Sequence, residues 1–438
     1  MRLPTLLRGL FGRPSTSRQR SVRRLNLEPL EDRCCPSYSV VDLGTLGGTF
    51  SEARAVNETA QVVGVSSMAS GNERAFLWQN GVMTDLGALL GSTSFANDIN
   101  GAGQVVGGSD NNYAFLWQNG VMTNLGTLRP YGTSTATAIS NGGQIVGWSY
   151  LPVEGVEHAF VWESGVMYDL NSLLPAGANM KLSLAFDIND NGQIVGQGQV
   201  NGQWRPFLLT DNDGIFANGG AVLTDLGTLG GAQGEAFDLN NVGQVTGEAR
   251  DKFGWQHAFR YSNGTMTDLK TLGGYRSYGH AINDSGQVVG TSQYTRANAS
   301  GPFHAFLWQN GKMADLSKQL PRGSSWTLTG ANDINNAGWI VGSGAINGQG
   351  HGFLMIPGGA ALQAESTAAA SVSESLNLEQ ITPLFAETLA RWQATGVDFS
   401  AFASIDVRIA DLGGATLGLA SGNTIWLDDN AAGWGWFV

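Results

Sequence analysis

One ten-residue phrase, Ala-Ile-Asn-Asp-Ser-Gly-Gln-Val-Val-Gly at Ala281 to Gly290, returns in recognisable form seven times in a chain of 438 residues. Its Gln-x-x-Gly end starts at Gln61, Gln104, Gln144, Gln193, Gln244 and Gln287, and Trp339 replaces Gln in the seventh copy. From Gln61 to Trp339 the copies span about 278 residues in six steps, roughly 46 each, a period typical of propeller or solenoid arrays. Such a chain folds as one large array in which each unit buries its apolar face against the next.

Each repeat holds four strand-like pieces. The first ends in Ala-Ile-Asn or a variant, as at Ala55, Asp98, Ala138, Asp187, Asp238, Ala281 and Asp333. A tight turn follows, in which Asn or Ser bonds its own backbone and a glycine such as Gly103 or Gly286 takes positive φ, with Ala60 the exception. The second piece is Gln-Val-Val-Gly, whose β-branched residues suit a buried pleated surface. The third is His-Ala-Phe-Leu-Trp or a relative, at Arg74, Tyr113, His158, Arg205, His257, His304 and His351, usually closed by an Asn-Gly hairpin turn. The fourth, Val-Met-Thr-Asp-Leu at Val82, has relatives at Val121, Val166, Val222, Thr265 and Lys312, only six copies in all.

The missing seventh copy stands at the other end of the array, as Val40-Val41-Asp42-Leu43. If that strand completes the last repeat, the array closes into a ring and leaves no edge open to aggregation. The expected fold is therefore all-β: a seven-bladed β-propeller of ~46-residue repeats, closed by an N-terminal strand, with a small α+β C-terminal segment. A β-solenoid, whose coils are usually shorter, is the alternative.

His304-Ala305-Phe306-Leu307-Trp308, Met266-Thr267-Asp268-Leu269 and Ile282 to Gly290 resemble the HAF family of extracellular repeats. The resemblance covers residues 40–356 and implies an exported repeat protein with no assigned catalysis. It departs from the family at Arg74, Tyr113 and Arg205, where His is missing, and at Thr210 to Ala221, which lengthen a hairpin.

Four segments follow: a basic leader at 1–37, the propeller at 38–357, an Ala/Ser-rich linker at 358–378 and an α+β tail at 379–438. In the leader, Leu27-Glu28-Pro29-Leu30-Glu31-Asp32-Arg33 resembles a leader segment of large exported bacterial surface proteins. In the tail, Thr382 and Pro383 begin an expected helix that Gly396 ends, followed by strands at Val407–Leu412 and Thr424–Asp428. The phrases at Leu417–Asp428 and Ala431–Val438 resemble the part of bacterial surface proteins that lies upstream of a matrixin-like metallopeptidase helix. The His-Glu-x-x-His of such a helix is absent from this chain.

The formal charge of −12 hides an asymmetry, because residues 1–40 carry eight Arg against three acids and the body is acidic. That argues against nucleic-acid binding. No apolar run is long enough to span a membrane. Cys34 and Cys35 are adjacent, which disfavours a bridge between them. The expected location is extracellular or at the cell surface, and the expected state a monomeric propeller.

No nucleophile elbow, phosphate loop or Cys–His pair is present. His158, His257, His304 and His351 fall on different blades, so we expect each to fix its own blade to a loop by a hydrogen bond rather than to share a metal. Asp98, Asp187, Asp238 and Asp333 share a register on the innermost strand. They either bond neighbouring backbone or face the channel, where repulsion raises their pKa values or recruits a cation. Asp211-Asn212-Asp213-Gly214 resembles a calcium loop without its twelfth-position Glu and reads as a polar hairpin. Neither a cofactor nor a metal is expected.

Loops joining second to third strands, and fourth to the next first, should share one end of the ring. They carry Tyr131, Trp148, Tyr150, Trp255, Tyr275, Tyr278, Tyr294 and Trp326. Aromatics on variable loops over a rigid scaffold suit a protein or glycan ligand, although each could simply cap its blade. The expected function is an exported, non-enzymatic binding propeller. The alternative is a secreted hydrolase or accessory subunit with a vestigial peptidase-associated module.

Overall fold

The computed structural model describes residues 38–110, 113–211, 216, 220–295, 301–321, 323–357, 361–363, 406–410, 412, 416–421 and 424–428. Residues 1–35 and 36–438 are separate units, and the described residues belong to the second. The expected helix near residues 382–396 and the Asn212–Gly214 part of the polar hairpin lie outside the described residues.

The period of two in the repeats becomes antiparallel sheet. Five repeats form separate four-stranded sheets with strands in sequence order; in the sixth repeat these are Ser277–Ile282, Val288–Gln293, Phe303–Gln309 and Lys312–Asp315. The strands of the first and last repeats merge into one eight-stranded sheet, joined by a single parallel pair of Phe50 and Gly350. The expected seven separate blades are corrected accordingly: five stand alone in a propeller-like ring of small sheets, and two repeats share a sheet. Their fusion at one residue pair reflects the Gly350 backbone, whose missing side chain lets the Phe50 ring approach.

Tyr38–Asp42 pairs antiparallel with Gln349–Pro357 over five residues, from Tyr38 opposite Pro357 to Asp42 opposite Phe353. Two short helical turns, Leu170–Leu173 and Leu316–Gln319, continue the fourth strands of the third and sixth repeats; the sequence pattern did not announce them. In each, the preceding aspartate, Asp169 or Asp315, caps the turn by accepting from a backbone N–H two residues on.

The core lies between neighbouring sheets. Phe76, Phe115, Phe160, Phe207, Phe259, Phe306 and Phe353, one per repeat, are all fully buried. In one such layer Ala55, Val63, Ala75 and Leu86 of the first repeat meet Ala96, Ile99, Val105 and Phe115 of the second. Each buried Phe is worth roughly 1.5–3 kcal/mol of transfer free energy, so the Ala-Phe pair of the third strand is explained by packing alone.

A small sheet from the tail adds Ala361–Gln363, Thr416–Ser421, Thr424–Asp428 and Asp406–Ala410, in that order, with the last pair parallel. It packs where the first and last repeats meet: Ala410, Leu412 and Trp426 join Val41, Trp78, Trp339 and Leu354 in one core cluster. Arg408 lies 5.3 Å from the Trp339 ring centre and 5.4 Å from that of Trp426. Trp339, which stands where six repeats have Gln, is therefore the docking point of the tail.

Candidate functional site

The first strands line the inner wall of the ring, and their Asn turns build its mouth. Asn57 Nδ2 donates to the Asn100 carbonyl and Asn100 to that of Ser140, while Asn189, Asn240, Asn283 and Asn335 donate to Asn240, Asn283, Asn335 and Asn57. The last link, 3.1 Å long, crosses from the seventh repeat to the first. Each Asn Oδ1 also accepts from a backbone N–H of its own turn, as from Gln287 N, so one side chain shapes a turn and ties two repeats. The mouth encloses a cavity of about 220 Å³ lined by these Asn and by Glu58, Asp98, Asp187, Asp190 and Asp284.

Below the Asn lie the four register-sharing aspartates. Asp98 Oδ2 accepts from Ile139 N at 2.8 Å, Asp187 from Leu239 N at 3.0 Å, Asp238 from Ile282 N at 2.6 Å and Asp333 from Val56 N at 2.8 Å. Each thus bonds the backbone of the next repeat and also faces the others across the channel. Burial, then the charge of Asp187, pushes Asp98 up to about 7. Burial likewise raises Asp333 to about 6. Asp187 and Asp238 hydrogen-bond one another, and burial raises both, Asp238 the more strongly because its neighbours are also acidic. Two carboxyls so close share a proton rather than carry two charges. The inner wall continues with Arg54 bonded to Asn97, and with Phe237 packed edge-on against Phe186 and His280.

The four repeat histidines do not come together. His158, His257 and His304 each pair with the fourth-strand aspartate of the same repeat, Asp169, Asp268 and Asp315, and His351 pairs with Asp42. The partner is a neighbouring strand rather than the expected loop. Where His is replaced, Arg205 reaches Asp225 instead at 3.1 Å. Burial alone would raise Asp268, but the bonds from His257 and Lys270 outweigh it and hold that carboxyl at about 2. Among the described residues, no group of three or more His, Cys, Asp or Glu is arranged to hold a metal, and no helix is long and apolar enough to cross a membrane.

The aromatics singled out from the sequence part company. Tyr131 is 99 % exposed with φ +63°, beside Tyr150, which is 37 % exposed. Trp148 is half-buried in a middle strand, opposite Thr135 and Ala159. Trp255 and Tyr275 stack with centres 4.6 Å apart, and the Arg276 guanidinium lies 5.8 Å from the Trp255 ring. Tyr278 donates to Gln256 Oε1 at 3.2 Å and tilts against Phe303. Tyr294 is 44 % exposed, its ring centre 4.1 Å from that of His304. Trp326 is turned into the core against Phe353 and is only 9 % exposed.

One feature of this end escaped the sequence pattern. Glu235 and Glu248 lie directly opposite on paired strands of the fifth repeat, where like charges repel. Gln197 of the preceding repeat donates to Glu235 at 2.5 Å. Burial, then Glu235, raises Glu248 to about 7, and its Oε2 is buried with no hydrogen-bond partner. Other repeats carry Glu52 opposite Val65 or Thr135 opposite Trp148, so the pair belongs to one repeat only.

No family model matches the chain, and no curated protein does. Solved structures with a similar course of strands include a puromycin-hydrolyzing peptidase from Mycobacterium tuberculosis, at 11 % identity and TM-score 0.47 over 70 % of this chain and 50 % of that one. A Trypanosoma rangeli sialidase in complex with the inhibitor DANA matches at 12 % and 0.36, over 64 % and 56 %. The Aleuria aurantia lectin bound to α-methyl-L-fucoside matches at 11 % and 0.34, over 66 % and 97 %. The chain thus spans about half the length of the peptidase and little more of the sialidase. Likeness at these scores bears on neither activity nor ligand.

Proposed function

We propose that this chain is an exported HAF-type repeat protein whose seven repeats close into a ring, with residues 38–42 as the final strand of the seventh. In this reading the merged sheet acts as two blades, because it is joined at a single residue pair while the Asn335 link and the Asp333 bond across it repeat those between other repeats. The protein works outside the cell or at its surface as a monomer, and it binds a glycan or an exposed protein patch without chemical turnover.

The observation that carries this reading is the Trp255–Tyr275 stack with Arg276 beside it, on variable loops over a rigid array. A flat aromatic pair flanked by a cation suits the face of a sugar ring or a neighbouring protein side chain. Tyr131, Tyr150 and Tyr294 extend the same end of the ring. Screening the full chain on glycan and protein arrays tests it: specific binding that Trp255→Ala abolishes supports the reading, and turnover of a hydrolase substrate panel overturns it.

One observation favours a hydrolase instead. Glu248, held near neutral beside Glu235 and the Tyr278 hydroxyl, has the acidity a general acid needs. Substrate turnover that Glu248→Gln removes, with melting unchanged, would establish that second reading.

A further inference from the structure

We infer that the groove between the fifth and sixth repeats binds a carboxylate-bearing sugar unit, with Arg260 as its anchor. In the sheets, the turns from first to second strand and from third to fourth share the end opposite the aromatic loops. At that end Arg260, Ser285, Gly286, Gln287, Trp308, Gln309, Asn310 and Gly311 enclose about 370 Å³, within the usual range of small-ligand sites. The site is therefore separate from the Trp255 face, and the proposal stands whether or not that face binds anything.

Arg260 is the departure that marks the groove. Its register is aliphatic in the other repeats, at Leu77, Leu116, Val161, Leu208, Leu307 and Leu354. The scaffold therefore does not need a cation here. The guanidinium sits over the Trp308 ring, 4.9 Å from its centre, a contact that helps hold it in place. It makes no ion pair among the described residues, and its Nε is buried without a partner. In a chain of net charge −12, a held arginine with no carboxylate is set to receive one from outside.

The rest of the lining selects hydroxyl-rich ligands. Gln309 Oε1 accepts from Gln287 Nε2 at 2.8 Å, which leaves the Gln309 amide N–H groups as donors. Ser285 and Asn310 add a hydroxyl and an amide. Gly286, with φ +72°, admits the Arg260 Nη1 and the Gln244 Oε1 to its α-carbon; a Cβ there would meet them at 3.0 and 2.9 Å. The groove offers hydroxyl and amide groups around one cation, so a sugar acid, which brings a carboxylate together with ring hydroxyls, fits it better than an acidic peptide side chain, which brings the carboxylate alone.

The equivalent groove between the seventh and first repeats shows that such sites accept a ligand-like strand. There the tail enters, Arg408 stacks on Trp339 and the Ile409 carbonyl approaches Gly81, the counterpart of Gly311. Between the fifth and sixth repeats no segment of the described residues takes that place.

Calorimetric titration of the full-length protein with sodium glucuronate, glucose and acetate tests the assignment. Glucuronate is expected to bind at least tenfold more tightly than either of the others, and more weakly as salt rises. Arg260→Leu, which installs the residue of the other repeats, should leave melting unchanged and weaken glucuronate about tenfold or more, with Arg260→Lys between the two. Equal binding of glucose and glucuronate, equal binding of acetate, or glucuronate binding untouched by Arg260→Leu would each overturn it.

Discussion

His351 Nδ1 lies 2.9 Å from Asp42 Oδ1, although 309 positions separate the two residues in the chain. The bond repeats the pairs that His158, His257 and His304 make inside their own repeats, so Asp42 holds the place of a fourth-strand aspartate in the last one. Asp42→Ala breaks a partly exposed pair and should cost roughly 1 kcal/mol. Deleting residues 1–46 removes the whole strand, including buried Val41 and Leu43, and uncovers the edge of Gln349–Pro357. Thermal melting and light scattering should then show a lower transition and self-association. A deletion that leaves melting and mass alone would refute closure.

Acidity in the channel makes stability depend on pH. Asp98 and Asp333 are raised above their unfolded value of 3.8, to about 7 and about 6. Raised acids contribute stability that is complete below the unfolded pKa and is lost as pH rises through the folded one. Asp268, held at about 2, acts oppositely: its contribution is present above 3.8 and is lost as pH falls toward 2. Melting temperature should therefore peak in mild acid, at about pH 4 to 5, and decline toward pH 8. Asp98→Ala should flatten the decline between pH 5 and 8, and an unchanged slope would count against a channel origin.

Trp339→Gln restores the residue of the other repeats and takes away the ring that Arg408 and Trp426 pack against. Limited proteolysis should then cut near residues 406–428 while residues 38–357 stay intact. Continued protection of the tail would mean that Ala410 and Leu412 hold it without the tryptophan.

Gly290→Ala should be severe. In every repeat the first strand bulges two residues before its end, as at His280 between Gly279 and Ala281, and aims a carbonyl oxygen at the glycine of the facing strand. A Cβ on Gly290 would run into the Tyr278 carbonyl, and the same holds for Gly107 and the Phe95 carbonyl. Because the obstacle is backbone, the expected loss is about 2–4 kcal/mol, read from chemical denaturation. A loss under about 0.5 kcal/mol would mean that the bulge can shift.

These glycines show how far the sequence could be read. The Asn-Gly hairpins and the left-handed turn position follow from local chemistry, and even Ala60 obeys it, with φ +58°. The end glycine of Gln-Val-Val-Gly recurs just as plainly, but its reason is a bulge on another strand, which no local pattern displays. The same limit hid the opposed Glu235 and Glu248 and the Arg260 groove. Each depends on residues that become neighbours only when strands pair or repeats stack, and each occurs once, so repetition could not reveal it. The aromatic loops were legible as a set, but not their fates: Trp326 packs inside while Tyr131 stands in solvent.

The belt of Asn amides at the channel mouth has six links, and the joint without one lies between the third and fourth repeats, where Ser140 is too short to reach across. On the exposed rim of that joint the Asn141 backbone and side-chain nitrogens both donate to Asp190, at 2.8 and 2.9 Å, and farther in Thr137 Oγ1 donates to the Ala185 carbonyl at 2.9 Å. The belt is thus uneven, and its gap does not fall at the chain's own seam, which has the buried Asn335 link. Under outward strain the belt of amides should open first at that joint, where water already competes for the Asn141–Asp190 pair, three repeats away from the Asn335 link.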